Sequence, residues 1–318
     1  MIFGTPVSWF LFEVLSVVVF VATLIHATRR PDATRHVLTV LGFVIFAATF
    51  ENIGVWQHIY DYSTDRIMMI GNVPLSILFV EAVGVYCALW VAEHLRLPWW
   101  VAPFLAGLWG SIQDMTVDPS NVFDLHTIDG VASGQWNWTM SYDGGFFGIP
   151  VFNFSGWFTM ILYYCFAVAL IQRLAERKDI GWLRTGGPLV AIVPSLIVLV
   201  SPINLFLLYA WPLGGQGVLA AEWIMLVVNL SVAAFLVLRY AKLDRPLDLR
   251  RDWIVFAVPV VLHLWDIGLA FAAQIEIAYV PSVLFTAIHV AALAVVVRAG
   301  LRARARLEVP EAEKLLVV

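Results

Sequence analysis

The chain has 318 residues, 61% hydrophobic and only 13% charged, with a mean hydropathy of +0.85. That balance excludes an ordinary soluble domain, points to an integral membrane protein, and speaks against nucleic acid as a partner. The net charge of -4 says little until the charges are placed along the chain.

The opening MIFGTPVSWF lacks a basic region, and the apolar run that follows is long enough to span, so no cleavable signal peptide is expected. A helix needs about 20 mostly apolar residues to cross the bilayer. Nine segments qualify, at roughly 8–28, 36–56, 73–94, 99–117, 150–172, 188–210, 217–239, 253–274 and 279–299. Eight spans is the alternative count, with the last two merged into one kinked segment. The basic residues favour nine. Arg29, Arg30 and Arg35, then Arg96, then the clusters at 173–184, 239–251 and 298–314 fall on alternate connections. These are 18 of the 19 basic residues, and only Arg66 falls on the other side. The positive-inside rule then puts the N-terminus outside and the C-terminus in the cytoplasm. The expectation is an all-α integral membrane protein of the prokaryotic cytoplasmic membrane. It comprises one transmembrane helical domain over 1–300, with an outer loop at 118–149 and a short charged tail at 301–318. The arginines of that tail suit anionic headgroups. Cys87 and Cys165 lie in apolar runs and imply neither a disulfide nor a thiolate metal site.

On this orientation Glu13, Glu51, Asp114, Asp118, Glu222 and Glu276 fall in or just beyond the outer half of their spans. Glu81, His263, Asp266 and His289 lie near the middle. The inner half holds almost no acids, which argues against a pump or channel and for a cavity opening outward or at mid-membrane. Ionised groups in hydrocarbon are costly, so each acid is a candidate for function. In GLWGSIQDMTVDPSNVFD, Asp114 and Asp118 stand one helical turn apart on one face. Two carboxyl groups so close in an apolar setting rarely both ionise, and the one that keeps its proton can act as a donor. A residue before proline is disfavoured in a helix, which puts Asp118 at a break made by Pro119. Glu51 and His58 share a face of the second span. His263, three residues before Asp266, can pair with it. The spacing of His263, Asp266 and His289 matches no metal site. For each acid the plainer reading is interhelical hydrogen bonding or an interfacial position.

Of 14 tryptophans, Trp99, Trp100, Trp211 and Trp253 read as interfacial anchors. Trp136, Trp138 and Trp157 flank the aspartate pair instead, and their ring faces suit a site where positive charge develops on a hydrocarbon. The plainer alternative is that they close an outer loop onto the bilayer.

The ordered motifs FENIGVW, YDYS, GNVPLSI, SIQDMTVDP, GQWNW and GGFFGIPVFNFSGW, over about residues 50–157, resemble the carotenoid biosynthesis membrane proteins typified by the CruF carotenoid 1,2-hydratases and the bisanhydrobacterioruberin hydratases. Beyond residue 160 the likeness is only hydropathic. The resemblance implies addition of water to a terminal isopropylidene double bond of an acyclic carotenoid or similar isoprenoid, in a site that needs no cofactor and no metal. Carried over by motif, Asp114, Asp118 and Glu51 are the catalytic acids, with Trp138, Asn153 and Trp157 beside them. Trp136, Phe147, His58 and Glu81 complete the substrate-binding candidates, and His263 and Asp266 are secondary ones. The partners implied are the isoprenoid substrate, membrane lipids and other carotenoid-pathway enzymes. Isoprenoid cyclisation or isomerisation, and a non-enzymatic carrier or partner-binding role, are the alternatives.

Overall fold

The computed structural model describes residues 1–139, 145–202, 204 and 219–308. The outer ends of the expected sixth and seventh spans, Trp211, part of the outer loop and the last ten residues lie outside the described residues. The order of elements is α1 (Val7–Thr28), α2 (Ala33–Trp56), β1 (Tyr60–Tyr62), β2 (Met69–Ile70), β3 (Val73–Pro74), α3 (Leu75–His94) and α4 (Ala102–Val122). There follow β4 (His126–Ile128), β5 (Val131–Ser133), β6 (Trp136–Trp138), α5 (Val151–Lys178), α6 (Gly181–Val190), α7 (Ile192–Leu199), α8 (Leu219–Tyr240), α9 (Leu249–Ala272) and α10 (Glu276–Glu308).

Among the described residues, eight helical segments are long and apolar enough to cross a membrane: α1, α2, α3, α5, the α6–α7 pair, α8, α9 and α10. The helix missing from that set is α4, whose second half carries Gln113, Asp114, Thr116, Asp118, Ser120 and Asn121. Yet 16 of its 21 residues are buried, and it packs on α3, α5, α8, α9 and α10. It is polar because other helices, rather than lipid, are its solvent. Close approach of α5 depends on Gly107, where a Cβ would lie 2.9 Å from the Phe158 carbonyl oxygen.

Ion pairs gather one end of the bundle. Arg30 binds Glu93 at 2.9 Å, Arg96 lies 3.5 Å from Asp244, and Arg304 lies 3.1 Å from Asp248. The turns after α1, α3 and α8 therefore meet the end of α10. At the opposite end β1 pairs antiparallel with β6, placing Tyr60 beside Trp138 and Tyr62 beside Trp136. The β4–β5 hairpin turns through Asp129 and Gly130, both at positive φ (49° and 83°), the Asp-Gly pattern of a tight hairpin. α4 thus runs from the Arg-rich end to the β-ribbon end. Near the ribbon, Arg66 is buried 4.6 Å above the ring centroid of Trp9, 4.0 Å from the Glu13 carboxylate, and donates to Gln135 Oε1 at 2.9 Å.

Four boundaries differ from expectation. Asp118 is not at a break, because α4 continues through Pro119 to Val122. Its last turn is held by side chains that bind back, Ser120 Oγ to the Thr116 carbonyl and Asn121 Nδ2 to that of Val117. The outer loop therefore begins after Val122 and contains three strands. The sixth segment starts at Gly181, directly after α5 ends on left-handed Asp179, rather than near 188. α10 reaches Glu308, so the arginines expected at the start of a tail lie on a helix. α9 and α10 are separate helices, divided at Gln274 in left-handed conformation (φ 56°), which disposes of the merged segment.

Candidate functional site

One face of α4, the first turns of α5, the ribbon-side half of α3 and the end of α2 enclose a cavity of about 160 Å³, closed at the ribbon end by Tyr60, Tyr62, Trp136 and Trp138 of β1 and β6. A cavity of roughly 150 Å³ holds a benzene-sized group, so this one fits the end of a hydrocarbon chain.

Asp114 and Asp118, a turn apart on α4, both point into it. The carboxamide of Asn153 donates one N–H to Asp114 Oδ2 and the other to Asp118 Oδ2, each at 2.7 Å. Trp136 Nε1 donates to Asp118 Oδ1 at 3.1 Å. Opposite, Glu51 Oε2 accepts from the phenols of Tyr60 at 2.8 Å and Tyr62 at 2.7 Å. Alternation along β1 puts these two tyrosines on one side of the strand. Burial, followed by the nearby Glu51, holds the Tyr62 phenol well above its usual range, so it stays a donor. Glu81, buried on α3, has no hydrogen-bond partner for either carboxyl oxygen among the described residues.

No Lys, Arg or His is among the described residues that line this cavity. Isolated charge is costly in such a wall. A carboxyl group there is held either as the neutral acid or as an anion fixed by donors. Glu51 and Asp118 have two donors each, and Glu81 has none. The wall thus combines proton-bearing groups with places for a carboxylate, beside the rings of Trp136, Trp138 and Trp157.

Of the residues singled out from sequence, Glu51, Glu81, Asp114, Asp118, Trp136, Trp138, Asn153 and Trp157 all line the cavity. His58 does not: α2 ends at Trp56, the chain turns at His58 with φ 55°, and its side chain is exposed. It joins the fold through its carbonyl, which accepts from the Thr139 hydroxyl. Phe147 also lies outside, at φ 50° in the turn before α5, stacked edge-on against Phe146. His263 and Asp266 face the opposite side of α4. Thr116 Oγ1 donates to Asp266 Oδ2 at 3.0 Å and lies 3.1 Å from His263 Nδ1, and His263 Nε2 lies 2.7 Å from His289 Nδ1. His263 and Asp266 therefore meet through Thr116 rather than pairing directly, and the cluster ties α4 to α9 and α10.

Sequence reasoning did not single out Tyr60, Tyr62 and Gly54. The alternating tyrosines of YDYS were the available signal, since residues two apart share a face of a strand. Gly54 leaves room for the Tyr60 phenol, which occupies the space a Cβ there would fill.

Comparison of the chain with protein-family models, curated proteins and solved structures finds no match. The functional reading therefore rests on the site.

Proposed function

We propose that this is a membrane-embedded hydratase that adds water to a terminal isopropylidene double bond of an acyclic carotenoid or similar isoprenoid. On this reading all nine helical columns, α4 included, span the membrane, with the N-terminus outside and the Arg-rich end in the cytoplasm of a prokaryotic cell. The alternation of basic connections supports it.

The observation that carries the reading is the Asp114–Asn153–Asp118 bridge in an apolar, aromatic cavity with no Lys, Arg or His among the described residues that line it, facing the Glu51 carboxyl group. Asp114 as the acid transfers its proton to the CH carbon of the double bond. That forms a C–H bond and leaves a tertiary cation on the carbon bearing two methyl groups. The tryptophan faces and the carboxylate left behind stabilise this charge. Water adds its oxygen to the cation and gives up a proton to Asp118 or Glu51, each already oriented by two donors. A water bridge returns that proton to Asp114, so a turnover consumes one water and needs no redox partner.

The test is mass analysis of pigments from a bacterial host that accumulates lycopene, expressing wild type or Asp114→Asn. A product heavier by one water with wild type alone supports the proposal. A product of unchanged mass but altered retention points to cyclisation or isomerisation by the same acid and aromatic wall. Unaltered pigment with well-expressed wild type rules out hydration of this substrate.

A further inference from the structure

A second recess lies at the Arg-rich end, in the seam between α2, α3 and α5 that also bounds the acid cavity. Its volume is about 420 Å³. On α3 the acid cavity takes Glu81 and Val85 while the recess takes Leu89 and Trp90; on α5 it takes Trp157 and Ile161 while the recess takes Val168 and Gln172. The two spaces are stacked along one seam, and the recess plays no part in the proposed reaction.

Its chemistry is divided by depth. Leu89, Val168 and Ala169 make an apolar wall toward mid-membrane, and Arg30, Arg35 and Arg173 stand at the mouth with the amide of Gln172. The side chains of the three arginines are 10%, 29% and 46% exposed, whereas their acidic neighbours Glu93, Asp32 and Glu176 are 47%, 73% and 56% exposed. Glu93 and Glu176 line the recess beside the arginines, and each is more exposed than the arginine it faces. Arg35 is 3.7 Å from Asp32, beyond hydrogen-bond distance, and Arg173 reaches Glu176 only at 3.4 Å. Planar N–H forks with unused donors suit phosphate oxygens. Cationic recesses between helices at the cytoplasmic face are suited to phosphate headgroups, with acyl chains along the apolar wall above.

The geometry points to a binding site for the phosphate headgroup of an anionic membrane lipid in this recess. Arg35 and Arg173 contact the phosphate, Arg30 braces the mouth through its fork on Glu93, and the hydrocarbon follows the apolar wall. The inference is independent of the hydratase reading.

The purified full chain in detergent is offered phosphatidylglycerol, undecaprenyl phosphate, phosphatidylcholine or inorganic phosphate, and retained molecules are counted by native mass spectrometry. Wild type is expected to retain the two anionic lipids over phosphatidylcholine. The double variant Arg35→Gln/Arg173→Gln is expected to lose about fivefold or more in retention per guanidinium removed. Arg250→Gln/Arg302→Gln removes the same charge from the same end outside the recess and is expected to retain lipid as wild type does. Preference for only one of the two anionic lipids supports the site and identifies its source. Equal loss in both double variants means general surface attraction and overturns the proposal. So do equal retention of phosphatidylcholine and capture of inorganic phosphate without either anionic lipid. Arg35 and Arg173 lie at the solvent-facing mouth, and matching thermal unfolding of the two double variants confirms that both fold.

Discussion

Gly54 and Tyr60 fit together as a notch and its occupant. The phenol oxygen of Tyr60 rests where the first side-chain carbon of any other residue at 54 would stand, and from there donates to Glu51. Gly54→Ala is therefore expected to push the phenol away from the carboxyl group, at a packing cost of about 1–3 kcal/mol. Product yield should fall alongside thermal stability. Tyr60→Phe should lower yield with less loss of stability. Equal yields in wild type and both variants would remove Tyr60 from the reaction.

The Asn153 bridge leads to a stronger expectation. Replacing it with Leu leaves two carboxyl groups side by side without their common donor. Loss of one preorganised donor costs about 10²–10³ in rate, and Asn153→Leu should lose at least the lower figure in initial rate of hydrated product. Asp266→Asn should retain most of the rate, because its contacts with Thr116 lie across α4 from the cavity.

Tyr62 sets a pH dependence that is readable by unfolding. Its folded value is raised above the ordinary 10.0, so up to that pH both folded and unfolded chains keep the proton. Above pH 10 the unfolded chain releases it first, and stability falls as pH rises toward the folded value. The slope contributed by this group approaches about 1.4 kcal/mol per pH unit. The difference between wild type and Tyr62→Phe in chemical denaturation between pH 9 and 11 isolates it. Parallel curves would show that Tyr62 is not the buried donor described.

Arg66 and Glu13 make a buried ion pair near the ribbon end. Arg66→Met strands the Glu13 carboxylate and should cost about 3–5 kcal/mol, whereas Glu13→Gln with Arg66→Met together should recover much of the loss. A double-mutant cycle by thermal unfolding measures both. Additive losses would mean that the pair is not coupled.

The helical segments and the acid pair were legible because hydropathy and i, i+4 spacing are local properties of the chain. The same local logic misled at Pro119, where the prohibition acts on an isolated backbone, while side chains of the final turn and five neighbouring helices hold Asp118 helical. Grouping His58 with Glu51 assumed that α2 continues past Trp56, but the chain needs a left-handed residue there to lead into β1. The convergence of Glu51 with Asp114 comes from the packing of α2 and α4 on α3, and the meeting of Tyr60 and Tyr62 with Trp138 and Trp136 from β1 pairing with β6, about 75 residues apart in sequence; no local pattern encodes such contacts. Tyr60 and Tyr62 alternate in YDYS, but a strand of only three residues makes that signal a weak one.

The polarity of α4 bears on how the protein is made. An aspartate at the centre of a nascent segment raises the cost of its partition from the translocon by about 2.5–3.5 kcal/mol, and α4 carries Asp114 and Asp118 together with Gln113, Thr116 and Asn121, all buried within the fold. Released alone, it would be rejected toward water. If α4 spans as proposed, its entry into the bilayer is expected to depend on the helices it packs against, α3 and α5 among them.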